Sequence, residues 1–241
     1  VRRHGLGAII LVALVTACTS HGDPTVGASP STVVGSPAPR ATQVQETPEA
    51  RFTGGVFPLT AHVRRHIRMR NWHSGCPVAL DDLRLVRVRY WTFRGEVRTG
   101  PLVLNRKVAR DVVGVFRQLF RARFPIHRIG LAPRPQPIDW DSTRNLSSSF
   151  NCRSATGNPG VLSEHSYGWA VDINPLQNPY VRSDGSVLRA AAKPYRDRRR
   201  HREGMIRSGD VVVRSFAAIG WGWGGNWRTI KDYMHFSLTG G

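Results

Sequence analysis

Residues 54–241 predict a domain of mixed α and β structure, and three observations carry that prediction. Leu85 to Trp91 alternates, with Val86, Val88 and Tyr90 on one face and Arg87 and Arg89 on the other, and Phe93-Arg-Gly-Glu96 turns the chain into Val97 to Leu104. This is the pattern of a hairpin with one wet face. Val108, Val112, Val115, Phe116, Leu119 and Phe120 then recur at helical spacing behind Asn105, a capping residue, and the helix must stop before Pro125. Asp210 is placed to cap another helix, Val211 to Ile219, which Gly220 ends.

Two further stretches complete the outline. Behind a loop rich in Pro, Asp and Asn from Pro133 to Asn145, a short strand around Ser148 to Arg153 is expected to carry Arg153. Near the C-terminus Met234, Phe236 and Leu238 alternate with His235 and Ser237, which predicts a strand with the first three buried and His235 turned to a cleft.

The N-terminal part has a different character. A basic start leads into an apolar run from Leu6 to Ala17 that is too short to span a bilayer and ends at Cys18, as a secretory signal does. Val15-Thr-Ala-Cys18 resembles the lipobox of bacterial lipoproteins, which implies a lipid on Cys18; an ordinary cleaved signal is the alternative. In residues 19–53 Ser, Thr, Pro, Gly and Ala dominate and large apolar side chains are few, the composition of a disordered tether. The expected organisation is therefore a signal over 1–18, a tether over 19–53 and a domain over 54–241. That domain has two cysteines, Cys76 and Cys152, which outside the cytoplasm are expected to pair; a metal shared with His73 is the weaker alternative.

The chemistry concentrates in Ser163-Glu-His-Ser-Tyr-Gly-Trp-Ala-Val-Asp-Ile-Asn-Pro175, which holds His165 and Asp172, and in Asp232-Tyr-Met-His235. Two imidazoles and one carboxylate are the ligand set of a catalytic zinc with a position left for water, and a spare carboxylate can carry the proton. Spacing alone leaves a structural histidine open, since no His-Glu-x-x-His is present. The context adds more. Ser163, His165, Gly168, Ala170 and Asp172, with Asp232 three residues before His235, resemble the signature of zinc peptidases of bacterial cell walls. These are the VanY-like D-alanyl-D-alanine carboxypeptidases and the related L-alanyl-D-glutamate endopeptidases. Phe150-Asn-Cys-Arg153, the Asp172-Ile-Asn-Pro175 exit and Gly220-Trp-Gly-Trp-Gly-Gly-Asn-Trp227 are also similar to that family, over roughly residues 56–239.

The resemblance implies an α+β fold, an antiparallel sheet with helices packed against one face, of the hedgehog/DD-peptidase type. It implies one zinc ion per chain held by His165, Asp172 and His235, and hydrolysis of peptidoglycan stem peptides. Asp232 takes the position of the general acid/base, with orientation of a ligand imidazole as the other reading. Arg153 takes that of an arginine near the scissile carbonyl or the substrate carboxylate. Ser163, Tyr167 and Trp223 are the candidate substrate contacts; Trp221, Trp223 and Trp227 divide between groove wall and core. Glu164 reads as a solvated side chain.

A net charge of +19, densest between Lys193 and Arg207, suggests nucleic acid at first sight. The secretion signal, and the lack of any zinc-finger spacing or aromatic-glycine RNA motif, speak against it. The expected partners are stem peptides, anionic wall polymers that the charge would attract, and the membrane through the N-terminal lipid of an extracytoplasmic monomer. A solvated arginine loop is the plain alternative for the charge, and a non-catalytic wall-binding lipoprotein is the alternative for the whole chain.

Overall fold

The computed structural model describes residues 50–133 and 145–240. The chain divides into two units, 1–47 and 48–241. The expected signal, Cys18, most of the tether and nearly all of the 133–145 loop lie outside the described residues.

A three-stranded antiparallel sheet forms the first layer. Strand β1 (Gly54–Pro58) lies at one edge, helix α1 (Ala61–Arg70) follows, and β2 (Leu83–Trp91) and β3 (Val97–Asn105) make the hairpin in the order β1-β2-β3. Arg87↔Pro101 and Val88↔Gly100 are among its facing pairs. Val86, Val88, Tyr90, Leu102 and Leu104 are buried on one side against helix α2 (Ala109–Arg121). The opposite face is not wholly wet. Leu83, Leu85 and Val103 are buried there against Val63 and Ile67 of α1, with Phe150 and Cys152, so helices lie against both faces, while Arg87 and the edge strand β1, with Phe57, stay exposed. The expectation of helices on one face is corrected by α1, whose two buried apolar residues sit one turn apart.

Helix α2 buries seven side chains, Val112, Val115, Phe116 and Leu119 among them. Asn105 is not its cap. The helix starts at Ala109 without a side-chain cap, while Asn105 Oδ1 accepts from Lys107 N at 3.1 Å and shapes the turn before it.

The second half consists of short pieces. A ribbon of β4 (Ser154–Ala155) and β5 (Asn158–Leu162) is followed by β6 (Ala170–Asp172) and β7 (Tyr180–Val181). Helix α3 (Val211–Ala217) is capped by Asp210, whose carboxylate accepts from Val212 N and Val213 N, and Gly220 takes φ +79° beyond its end. Then come β8 (Gly222–Trp223), β9 (Lys231–Asp232) and β10 (His235–Ser237). Strand β10 lies between β6 and β8, and β9 pairs with β7. The main core joins α2, α3 and the first sheet to Val171 and Phe236 of the second and to Ile173 just beyond β6, with Phe216 and Phe236 stacked 4.2 Å apart. Met234 and Phe236 are buried as expected, whereas Leu238 is 37% exposed because β10 ends at Ser237.

Candidate metal centre and cleft

Local backbone geometry places His165. It lies in a 3₁₀ turn, Glu164–Tyr167, that Gly168 closes at φ +71°. A side chain at Gly168 would put its Cβ 2.7 Å from Asn105 N, and Asn105 N donates to Gly168 O at 3.0 Å. The motif glycine thus meets two demands at once, a left-handed backbone and close approach to β3. Asp172 ends β6, and register sets it directly across from His235 on β10.

The segment from Ser147 to Arg153 joins both ligand carriers. It forms isolated bridges and not the regular strand expected. Ser148 exchanges both backbone hydrogen bonds with Asp172, at 3.1 and 2.9 Å. Ser149 Oγ donates to Val103 O at 2.6 Å and accepts from Val103 N at 2.9 Å, which fastens the segment to β3. Ser149 O accepts from His165 Nδ1 at 2.6 Å. A carbonyl can only accept, so Nδ1 carries the proton and Nε2 presents a lone pair.

That lone pair points into a triangle. His165 Nε2 is 3.2 Å from His235 Nδ1 and 3.2 Å from Asp172 Oδ2, and His235 Nδ1 is 3.2 Å from Asp172 Oδ1. Ligands about 2.0–2.1 Å from a tetrahedral zinc are separated by about 3.3 Å, so the donor set fits that ion. Ring nitrogens and a carboxylate this close either share protons or surround a cation. Both imidazoles are buried, at 3% and 6% exposure. Burial alone would raise the Asp172 carboxyl, but the adjoining His165, and after it His235, hold it well below the usual carboxylate range.

Asp232 stands beside this triangle. Its strand β9 pairs Asp232 with Tyr180, and its backbone approaches Gly224 so closely that a Cβ there would meet Asp232 O at 2.6 Å. The carboxylate Oδ1 is enclosed and has no hydrogen-bond partner among the described residues. Burial, and next the Asp172 charge, push its pKa up to about 7, against the pull of His235, Arg153 and Arg189. An acid tuned near neutrality next to a candidate metal centre is what proton transfer requires.

These groups open onto a cleft of about 560 Å³. Arg153, Ser163, His165, Asp232 and His235 line it; Asp172 lies behind the two imidazoles. The Arg153 guanidinium donates to Ser154 O at 2.9 Å, and its backbone is held by Ser166, whose Oγ accepts from Arg153 N and donates to Arg153 O. Two candidate contacts are corrected. Tyr167 stacks on Trp169 with ring centroids 4.8 Å apart and does not line the cleft. Trp223 is buried, donates Nε1 to Tyr233 O and belongs to the core. Trp227 is the cleft's tryptophan, its ring 5.6 Å from that of His235 and its Nε1 donating to Gly240 O. Glu164 also lines the cleft, but its carboxylate accepts from Thr239 N and Oγ1.

Some of the cleft had no signal in the sequence. Tyr180 lines it, and burial followed by the Asp232 charge pushes its phenol up, with Arg182 opposing. The β4-β5 ribbon supplies a wall through Thr156, Asn158 and Val161. Cys76 and Cys152 are joined in a disulfide with Cα atoms 5.9 Å apart, and Arg153 follows directly on Cys152. His73 lies next to that bond, its Nε2 3.6 Å from Cys152 Sγ. The densest arginine run is not all solvated. Arg198 donates to the carbonyls of Gln177, Tyr195 and Ile206 and lies over the Tyr233 ring, and burial lowers its pKa to about 10, while Arg199 and Arg200 stay exposed.

A cleft floored by two imidazoles and a carboxylate, with a second carboxylate at its side, has the make-up of a hydrolytic metal centre. Residues 156–238 match a family model described as D-alanyl-D-alanine carboxypeptidase, which supports a peptidase. The matched stretch contains all three candidate ligands and Asp232 and leaves out Arg153. No curated protein and no solved structure matches the chain.

Proposed function

We propose that this chain is a zinc-dependent peptidase, VanY-like and built on the hedgehog/DD-peptidase fold, that removes the terminal D-alanine from peptidoglycan stem peptides. One observation carries the reading: three mutually close ligand atoms on His165, Asp172 and His235 sit beside an enclosed Asp232 oxygen that has no hydrogen-bond partner among the described residues, where one cleft opens. When bound, zinc supplies a Lewis acid and an acidified water. Ser149 fixes the tautomer of His165 so that Nε2 faces the site. Asp232 accepts a proton during attack and returns it to the leaving amine. Arg153 offers its guanidinium to the substrate's terminal carboxylate. Trp227 and the β4-β5 ribbon hold the peptide between them. The test is to incubate the zinc-loaded protein with muropeptides and weigh the products. Loss of one D-alanine is expected; cleavage between L-alanine and D-glutamate would make it the endopeptidase, and no product from either would refute the reading.

In the same proposal the protein works outside the cytoplasm as a monomer, held to the membrane by a lipid on Cys18 and reaching the wall over a tether shorter than the expected 19–53, because Phe52 packs on the core and Thr53 O accepts from Arg89 N. The Cys76–Cys152 disulfide suits such an oxidising compartment. Cys18→Ala should leave the membrane fraction; unchanged recovery there would remove the anchor from the proposal.

A further inference from the structure

Far from the candidate ligands in the chain, a second depression of about 340 Å³ lies where the C-terminal end of α2 meets β2 and the segment leading into β1. It shares no lining residue with the catalytic cleft. Its floor is aromatic. Trp91 and Phe120 stack at 5.3 Å, Phe52 meets Phe120 at 5.6 Å, and Trp91 Nε1 donates to Phe120 O. Its rim is four arginines, Arg51, Arg117, Arg121 and Arg123, with no carboxylate among the lining residues. None of the four forms an ion pair among the described residues.

This arrangement works against the fold. Arg117 and Arg121 stand four apart on α2, a spacing at which like charges destabilise a helix, and all four are exposed together around one concavity. Two are oriented all the same. The Arg117 guanidinium lies 5.6 Å from the Phe52 ring centroid and that of Arg123 lies 4.9 Å from that of Trp91. A guanidinium resting on a ring is restrained in its face and keeps its edge donors for an anion, in the fork geometry that fits phosphate oxygens.

We propose that the Arg51, Arg117, Arg121 and Arg123 depression is a binding site for a phosphodiester polymer. A lone carboxylate would neutralise one of four cations, whereas a chain of phosphodiesters brings several closely spaced charges into the same depression. The polyol between phosphates lies against the aromatic floor, a surface a bare ion would not use. The site is separate from the catalytic proposal, so each can fail without the other.

The test is titration of the full chain with poly(glycerol phosphate), beside orthophosphate, poly-glutamate and phosphatidylglycerol vesicles. Saturable, salt-sensitive binding of the polymer is expected, with poly-glutamate much weaker. Arg117→Ala with Arg121→Ala should lower affinity by about tenfold for each guanidinium removed, hence on the order of 100-fold together. Arg65→Ala with Arg68→Ala removes two exposed arginines of α1 and the same net charge, and should change affinity less than about twofold. Turnover of a short soluble stem peptide should be the same in all variants. An equal loss in the α1 variant would reduce the site to general charge and overturn the proposal. Poly-glutamate binding as tightly as the polymer would overturn the phosphate assignment, and vesicle binding through Arg117 and Arg121 without polymer binding would assign the arginines to a membrane.

Discussion

Asp232→Asn in the metal-free protein tests the electrostatics from which the proton-carrier role is argued. The folded Asp232 carboxyl titrates near 7 against an ordinary value of 3.8, mainly because burial disfavours its charge. The folded state therefore binds the proton more tightly than the unfolded one between those values, and stability falls as pH rises from about 4 to about 7. The full effect is about 3 pH units, or about 4 kcal/mol, present above pH 7 and nearly absent below pH 4. Asparagine has no charge to lose. In urea unfolding with a chelator present, the variant should gain on the wild type as pH rises, the difference between the two growing by about 2–3 kcal/mol from pH 5 to pH 8. A gap that stays constant with pH would mean that Asp232 is not held in a site that resists its charge, and its assignment as the acid/base would lose its physical basis.

Other outcomes follow from the same geometry. His165→Ala, Asp172→Ala and His235→Ala should each lose zinc and activity together, whereas Asp232→Asn should keep zinc by elemental analysis and lose about 10²- to 10⁴-fold in turnover; loss of zinc in Asp232→Asn to the extent seen in His235→Ala would make Asp232 a ligand. Gly168→Ala, which must hold φ +71° with its Cβ 2.7 Å from Asn105 N, should cost about 2 kcal/mol or more in urea unfolding and weaken metal retention by shifting His165; an unchanged midpoint would contradict the role given to this glycine. Reducing Cys76–Cys152 opens a closed loop with a sequence separation of 76 and should lower stability by about 4 kcal/mol, read as a drop in the urea midpoint on adding a thiol.

What could be read from the sequence and what could not differ by the range of the interactions involved. The β2-β3 hairpin, α2 and the α3 cap depend on periods and caps spanning a few residues, and the structure contains all three. His165, Asp172 and His235 could be picked out by resemblance, but the register that brings Asp172 opposite His235 is a pairing across 63 residues that no local pattern encodes. Ser149, which sets the His165 tautomer, had no signal, because its role exists only once β3 holds it in place. Tyr180 sits in a strand of two residues, too short to show a period. The tryptophans fail for another reason. Trp223 and Trp227 lie four apart across a 3₁₀ turn, Gly224–Asn226, so neither alternation nor helical spacing tells which faces the cleft. The glycines between them are there for contact: Gly224 lets the backbone approach Asp232, and Gly225 packs where a Cβ would strike the Trp223 ring. A run of glycines among tryptophans here therefore marks a wall pressed against the strand that carries Asp232, and enlarging Gly224 would displace Asp232 without altering its carboxylate.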